Sequence, residues 1–200
     1  MKGYTKPLLI IFFVLLADQV LKTWIKTNMY LGQEFKIMGE WFIIHFTENN
    51  GMAFGLEFGG EFGKLALSLF RIAAVAGIGY GLHYLIQKKY HRGLILNVAL
   101  IFSGALGNII DSVFYGKIYD YAGWFHGRVV DMFYFPIIQG NFPTWVPIWG
   151  GEDFIFFRPV FNIADAAISV GVVIILIYQK TYFKEDVNEE ININSEVVEE

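Results

Sequence analysis

Gly127-Arg128-Val129-Val130-Asp131-Met132-Phe133 sets one acidic side chain inside an apolar run, and Phe161-Asn162-Ile163-Ala164-Asp165-Ala166-Ala167 repeats the arrangement further on. Each lies beside a stretch that reads as membrane-spanning. An ionised carboxylate is costly there and calls for a reason. The reading around which the chain arranges itself is that Asp131 and Asp165 meet in the fold as a pair of catalytic carboxylates.

Composition agrees with the membrane reading. Of 200 residues, 55% are hydrophobic and 17% charged, with mean hydropathy +0.46. A soluble domain is typically about 45–50% apolar and about a quarter charged. Cysteine is absent, which excludes disulfides, thiol nucleophiles and cysteine-bound metals. The four histidines, His45, His83, His91 and His126, are scattered without a metal-ligand spacing, so neither metal nor cofactor is expected. The net charge of −4 comes largely from the tail at 185–200, acidic and free of aromatics, which reads as a solvated, disordered end. Nothing in the charge pattern suggests nucleic-acid binding.

Lys2 and Lys6 precede the apolar run Leu8–Ala17, a pattern that also fits a secretory signal peptide. Asp18 then stands where a small-residue cleavage site belongs, and the helical pattern continues through Val20, Leu21, Trp24 and Ile25. The stretch therefore reads as a first transmembrane helix over 7–26. Its apolar part ends too early to span alone, since about 20 residues are needed. Asp18 must lie in the outer half, facing protein or water rather than lipid.

Residues 33–58 change character. Glu34–Met38 and Glu40–Thr47 are aromatic and β-branched with partial alternation, and Asn49-Asn50-Gly51 marks a turn. Further helices are expected over about 64–86, 94–114 and 160–178, with Arg71 snorkelling near the outer end of the second. A long loop at 115–158 would join the last two. The fold class is thus a membrane all-α protein, four transmembrane helices with a small extracytoplasmic β-cradle, in one domain over 1–184. Basic residues gather before helix one, between helices two and three, and after helix four, which puts both termini in the cytoplasm. Asp18, Asp131 and Asp165 then share one depth, at the outer boundary.

Each polar constellation has a plain reading and a functional one. Asp18 and Lys22, at i and i+4, share a helix face as a structural ion pair or as a prop for an active site. Thr47–Gly55 is an ordinary loop, or one in which Asn49 offers an amide and Gly51 lets backbone approach a ligand. Gly104, Ala105 and Gly107 permit tight helix packing, which leaves Asn108 and Asp111 unexplained. Asp131 and Asp165 are either two helix-end carboxylates, the latter facing its helix dipole, or a dyad. Two close carboxylates cannot both ionise easily, so one keeps its proton. The charged one then takes a proton from water while the other hydrogen-bonds a scissile carbonyl, which is amide hydrolysis without a nucleophilic side chain.

Taken in order, Asp18 with Lys22, Asn49-Asn50-Gly51-Met52-Ala53-Phe54, Gly104–Asp111, Gly127–Asp131 and Phe161–Asp165 resemble the bacterial lipoprotein signal peptidase (signal peptidase II) family, over nearly all of 7–180. The resemblance implies an aspartic peptidase of the bacterial cytoplasmic (inner) membrane, with its active site at the outer face. Such an enzyme removes the signal peptide from diacylglyceryl-modified prolipoproteins, before the lipidated cysteine, and globomycin inhibits it. It implies catalytic roles for Asp131 and Asp165, and supporting or substrate-binding roles for Asp18, Lys22, Asn49, Gly51, Gly104, Asn108, Asp111 and Asn162. The expected partners are prolipoprotein substrates and membrane lipids, and the expected state is a monomer.

Two departures stand out. The family usually carries Arg directly after the aspartate matched by Asp111, where this chain has Ser112; Arg128 is the candidate replacement cation. The stretch from Asp111 to Asp131 is also longer than usual, which makes Asp120 a competitor for the first catalytic acid. Gly-x-Val-Val-Asp-Met favours Asp131, so 119–126 reads as an insertion, and 137–158 as a second extension forming a lid or membrane contact. A presenilin-type protease is disfavoured by the lack of Gly-x-Gly-Asp. A transporter using Asp18, Lys22 and Asp111 as a relay is disfavoured by the lack of an inverted repeat.

Overall fold

A computed structural model describes residues 3–50, 60–156 and 159–183. Gly51 and the acidic tail at 185–200 lie outside these described residues. Helix α1 (Thr5–Asn28) has its polarity inside out. Asp18 and Lys22 are 1% and 0% exposed, whereas Phe12, Phe13 and Val20 on the outer faces are 57%, 60% and 60% exposed. Such a helix is stable only where the surroundings are more apolar than the interior it faces, as in a bilayer. Helix α2 (Gly60–Gln87) follows, then α3 (Arg92–Ile110), which continues through a π turn (Asp111–Tyr115) into a last helical turn α4 (Gly116–Ile118).

Among the described residues three helical segments are long and apolar enough to cross a membrane: Thr5–Asn28, Phe62–Gln87 and Arg92–Ile118. Helix α5 (Ile163–Ile177) is apolar but has 15 residues, about 22 Å of rise against a hydrocarbon core of about 30 Å. A short α6 (Gln179–Tyr182) follows it. The onset expected near residue 160 falls later, because Val160–Phe161 pair as a strand and Asn162 caps the helix.

Residues 115–158, read from sequence as a loop, carry ordered strands instead. The main sheet has the order β1-β2-β3-β6, built from Glu34–Met38, Phe42–Asn49, Val129–Tyr134 and Val160–Phe161, with every pair antiparallel. Strand β3 escapes a periodicity reading because Val129, Val130, Asp131 and Met132 are all buried, so no polar-apolar alternation shows. The alternation is still present in space. Val130 and Met132 pack with Ile25, Met29, Phe46 and Tyr115, and Asp131 between them points to the other face. The 137–158 extension is a two-stranded sheet of β4 (Ile138–Asn141) and β5 (Asp153–Phe156). Between the two strands Trp145 and Ile148 are 80% and 86% exposed.

Glycine sets how closely the helices approach. A Cβ on Gly104 would lie 2.2 Å from the Ala164 carbonyl oxygen, and one on Gly171 2.8 Å from that of Asn97, so α3 and α5 pack backbone to backbone. The π turn widens the end of α3 and hands its carbonyls to the chain that follows. Ser112 O accepts from Gly127 N at 2.8 Å and Val113 O from Phe125 N at 3.0 Å. This folds the 119–126 insertion back against the helices and starts β3 beside Asp111. A Cβ at Gly127 would stand 2.0 Å from the Asp111 carbonyl oxygen. Gly127→Ala is therefore expected to cost about 1–3 kcal/mol as an overpacked site, read as a lower midpoint of thermal unfolding in detergent, with Gly123→Ala, which meets nothing within 4 Å, as the control.

Candidate active site

The site is built upward from a buried ammonium. Lys22 donates to Asp18 Oδ2 at 2.9 Å, Asp111 Oδ2 at 2.8 Å and Asn108 Oδ1 at 3.0 Å. An ammonium has three protons and no acceptor, so these partners satisfy it fully. The two carboxylates carry the link onward through backbone. Asp18 Oδ1 accepts from Ala164 N at 3.0 Å, holding the first turn of α5, and Asp111 Oδ2 accepts from Val130 N at 3.2 Å, holding β3. Gly107 leaves the room this needs, since a Cβ there would stand 2.8 Å from Asp18 Oδ2.

The orientation of two amides then follows. Because Asn108 Oδ1 faces the ammonium, its Nδ2 must point away, and it donates to Asp165 Oδ1 at 2.8 Å. Asn162 is the N-cap of α5. Its Oδ1 accepts from Asp165 N at 2.9 Å, and Asp165 Oδ2 accepts in return from Asn162 N at 3.3 Å, a reciprocal capping box. With Oδ1 so occupied, Asn162 Nδ2 reaches Asp131 Oδ1 at 2.7 Å, Val130 O at 3.2 Å and Asn108 Oδ1 at 3.2 Å. From β2, Asn49 Nδ2 donates to Asp131 Oδ2. Asp131 and Asp165, far apart in the chain, thus share a bridge of two asparagines.

Burial raises the Asp131 carboxyl most, and repulsion from Asp165 raises it further, to about 7; the bonds from Asn162 and Asn49 and the charge of Lys22 oppose this without prevailing. Near neutral pH such a pair can hold one proton between two carboxyl groups.

The competing acid is elsewhere. Asp120 is exposed, at positive φ (56°) in the turn after α4. Arg128, the candidate replacement for the missing Arg, is 50% exposed and lies 3.7 Å from Glu48 and beside the Tyr121 ring. Among the described residues no group of three or more His, Asp or Glu is placed to hold a metal ion.

The sequence model of the family described as signal peptidase (SPase) II matches residues 10–181. The chain belongs to the signal peptidase II family. Among its relatives are proteins named lipoprotein signal peptidase from Porphyromonas gingivalis, 50% identical over 86% of this chain and 82% of the relative, and from Amoebophilus asiaticus, 38% identical over 89% and 79%. A bacterial membrane enzyme solved by the in meso method at 1.9 Å resolution aligns with a TM-score of 0.61 at 28% identity, over 86% of this chain and 91% of that one. With its three long apolar helices and such a neighbour, the chain is a multi-pass membrane protein.

Sequence reasoning missed several members of the network. Gln19 donates to Asp111 Oδ1 at 3.0 Å and Asp18 Oδ2 at 3.1 Å, and accepts from the Tyr115 hydroxyl at 3.1 Å. An amide inside an apolar helix, next to Asp18, was the available signal. Lys26, one turn beyond Lys22, pairs with Glu48 and lies 4.4 Å from the Tyr121 ring centre, tying α1 to β2 and the 119–126 insertion. Arg71, expected to snorkel, instead turns to Ser112 Oγ at 3.4 Å.

Two outcomes test this site. Asp165→Asn removes the repulsion, so the Asp131 carboxyl is expected to titrate below 7, as followed by isotope-edited infrared spectroscopy of its carbonyl band; an unmoved titration would show that the two are not coupled. Lys22→Ala leaves two buried carboxylates without their cation and is expected to cost about 3–5 kcal/mol, measured as lost thermal stability and yield of folded protein.

Proposed function

We propose that this protein is an aspartic endopeptidase that removes the signal peptide from diacylglyceryl-modified prolipoproteins, cutting before the lipidated cysteine. The observation that carries the reading is the Asp131–Asn162–Asn108–Asp165 bridge, in a chain whose relatives are named lipoprotein signal peptidases. Asp131 holds the proton of the pair and donates it as a hydrogen bond to the scissile carbonyl oxygen. Asp165, oriented by Asn108 and the Asn162 backbone, takes a proton from water as its oxygen attacks the carbonyl carbon. The tetrahedral intermediate collapses as the leaving amine receives a proton from the pair, and the C–N bond breaks. No metal or cofactor takes part.

The remaining residues position these two. Asp18, Lys22 and Asp111 fix α1, β3 and the start of α5, Gly104 lets α3 and α5 close, and Asn49 orients Asp131 from the sheet. Gly51 would give the substrate backbone close approach. In the cell, four helices span the bacterial inner membrane, with α5 as the fourth. Tyr4 contacts His83 and Gln87, and Asn97 contacts Tyr182, which gathers the basic ends at one side of the bundle, opposite the carboxylates. That side and both termini are cytoplasmic, and the sheet is extracytoplasmic. The substrate's apolar helix and lipid chains enter from the bilayer, the enzyme works as a monomer, and globomycin blocks it.

Asp131→Asn and Asp165→Asn are each expected to reduce cleavage of a lipidated precursor by at least about 10²-fold, the scale of a lost general acid or base, while inserting and melting like the parent. Full cleavage by either variant would remove that carboxylate from the chemistry. Cleavage of the unlipidated precursor at an equal rate would overturn the substrate assignment. Activity should also fall as pH rises through about 7, because an acid with a raised pKa loses its proton there.

A further inference from the structure

Helix α2 turns a polar stripe toward the site. Lys64, Ser68 and Arg71 follow at i, i+4 and i+7, and so share a face. Lys64 Nζ donates to Asn50 O at 2.7 Å, Ser68 Oγ to Phe125 O at 2.7 Å and Arg71 Nη1 to Ser112 Oγ at 3.4 Å. Ser112 Oγ in turn donates to Asn108 O at 3.0 Å, so the hydroxyl accepting from Arg71 is fixed to the residue that holds Asp165. The guanidinium is half-buried and interacts electrostatically with Asp165, Asp131 and Asp111.

The charge balance shows what a cation does here. Four carboxylates, Asp18, Asp111, Asp131 and Asp165, lie around the interior ammonium of Lys22 and the asparagines beside it. The ammonium binds Asp18 and Asp111 directly and reaches Asp165 through Asn108. Other cations nearby among the described residues are Lys64, on α2 itself, and Arg128 and Lys26, both drawn toward Glu48. We infer that Arg71 is a positioning residue of the carboxylate pair: delivered from α2 onto the Ser112 hydroxyl, its guanidinium supplies positive charge that sets the pH range over which Asp131 and Asp165 share one proton. The inference rests on the reading of the pair as the catalytic dyad.

The test is a set of pH profiles on the full-length enzyme in detergent or bilayer, with a diacylglyceryl-modified precursor peptide. A cation favours the ionised pair, so its removal must raise the pair's affinity for protons and move both limbs of the kcat profile to higher pH. Arg71→Gln, which keeps length and hydrogen bonding but not charge, is expected to shift the profile upward by about one pH unit, the low end for a nearby opposite charge. It should therefore keep more of its kcat than the parent above neutral pH, where the parent falls, and lose more than the parent on the acid limb. Arg71→Lys should keep the parent profile. A folded Arg71→Gln enzyme with unshifted limbs overturns the inference. If that variant does not fold, Arg71→Lys decides: a folded lysine enzyme with a displaced profile overturns it as well, and an undisplaced one supports it. Asp131→Asn and Asp165→Asn, assayed alongside, separate the two claims. If either remains fully active the dyad itself falls; if both are inactive and the Arg71→Gln limbs do not move, only the role of Arg71 falls.

Discussion

The whole arrangement depends on an ammonium ion out of reach of water. Lys22 is fully buried, and an interior cation persists only when every proton has an acceptor and nearby charge offsets its lost hydration. Asp18, Asp111 and Asn108 meet both needs, and each then fixes something else. Asp18 holds a peptide N–H in the first turn of α5, Asp111 holds the backbone of β3, and Asn108 is forced to aim its amide at Asp165. One side chain on α1 thereby sets the relative placement of the helix that carries Asp165 and the strand that carries Asp131.

The bilayer explains why so polar a centre can be an organising core. In water, apolar faces drive helices together; in lipid the outside is as apolar as any helix face, so association falls to close packing and interior hydrogen bonds. Both are present. Gly104 and Gly171 let α3 and α5 touch backbone to backbone, and the hydrogen bonds radiate from Lys22. The sheet is placed by the same logic. Val130 and Met132 pack on Ile25 and Met29 of α1, which leaves β3 with its one acidic residue directed away from that packing and toward Asn162.

Local rules carry some of this and not the rest. The i, i+4 pairing of Asp18 with Lys22 is visible in the sequence, since helix geometry alone places them together, whereas the last helix, expected from about 160, begins later because Asn162 caps it. The role of Asp111 is not visible, because its partners come from α1 and β3. Strand β3 was hidden by being buried on both faces, and its neighbour β6 by having two residues. Arg71 was misread for a different reason. An arginine in an apolar helix has two ways to satisfy its charge, snorkelling outward or turning inward to carboxylates, and only the tertiary structure chooses between them.

The asparagines resolve a conflict built into any such pair. Two carboxyl groups must be held rigidly for acid–base work, yet a cation bonded directly to either would keep it ionised and end the proton sharing. Neutral amides position without neutralising. Asn162 and Asn49 grip Asp131, and Asn108 grips Asp165, each through N–H groups that leave the charge in place. Asn108 is also the spacer between Lys22 and Asp165, so the ammonium that organises the bundle reaches Asp165 through a neutral amide. The Asp131 carboxyl raised to about 7 follows from this insulation. Burial and like charge push it up, and the Lys22 ammonium is tied to other carboxylates. An aspartate at Asn108 would place a carboxylate between Lys22 and Asp165, bonding the ammonium but unable to donate to its neighbour. The amide is required because it alone, among side chains of that length, accepts on one side and donates on the other.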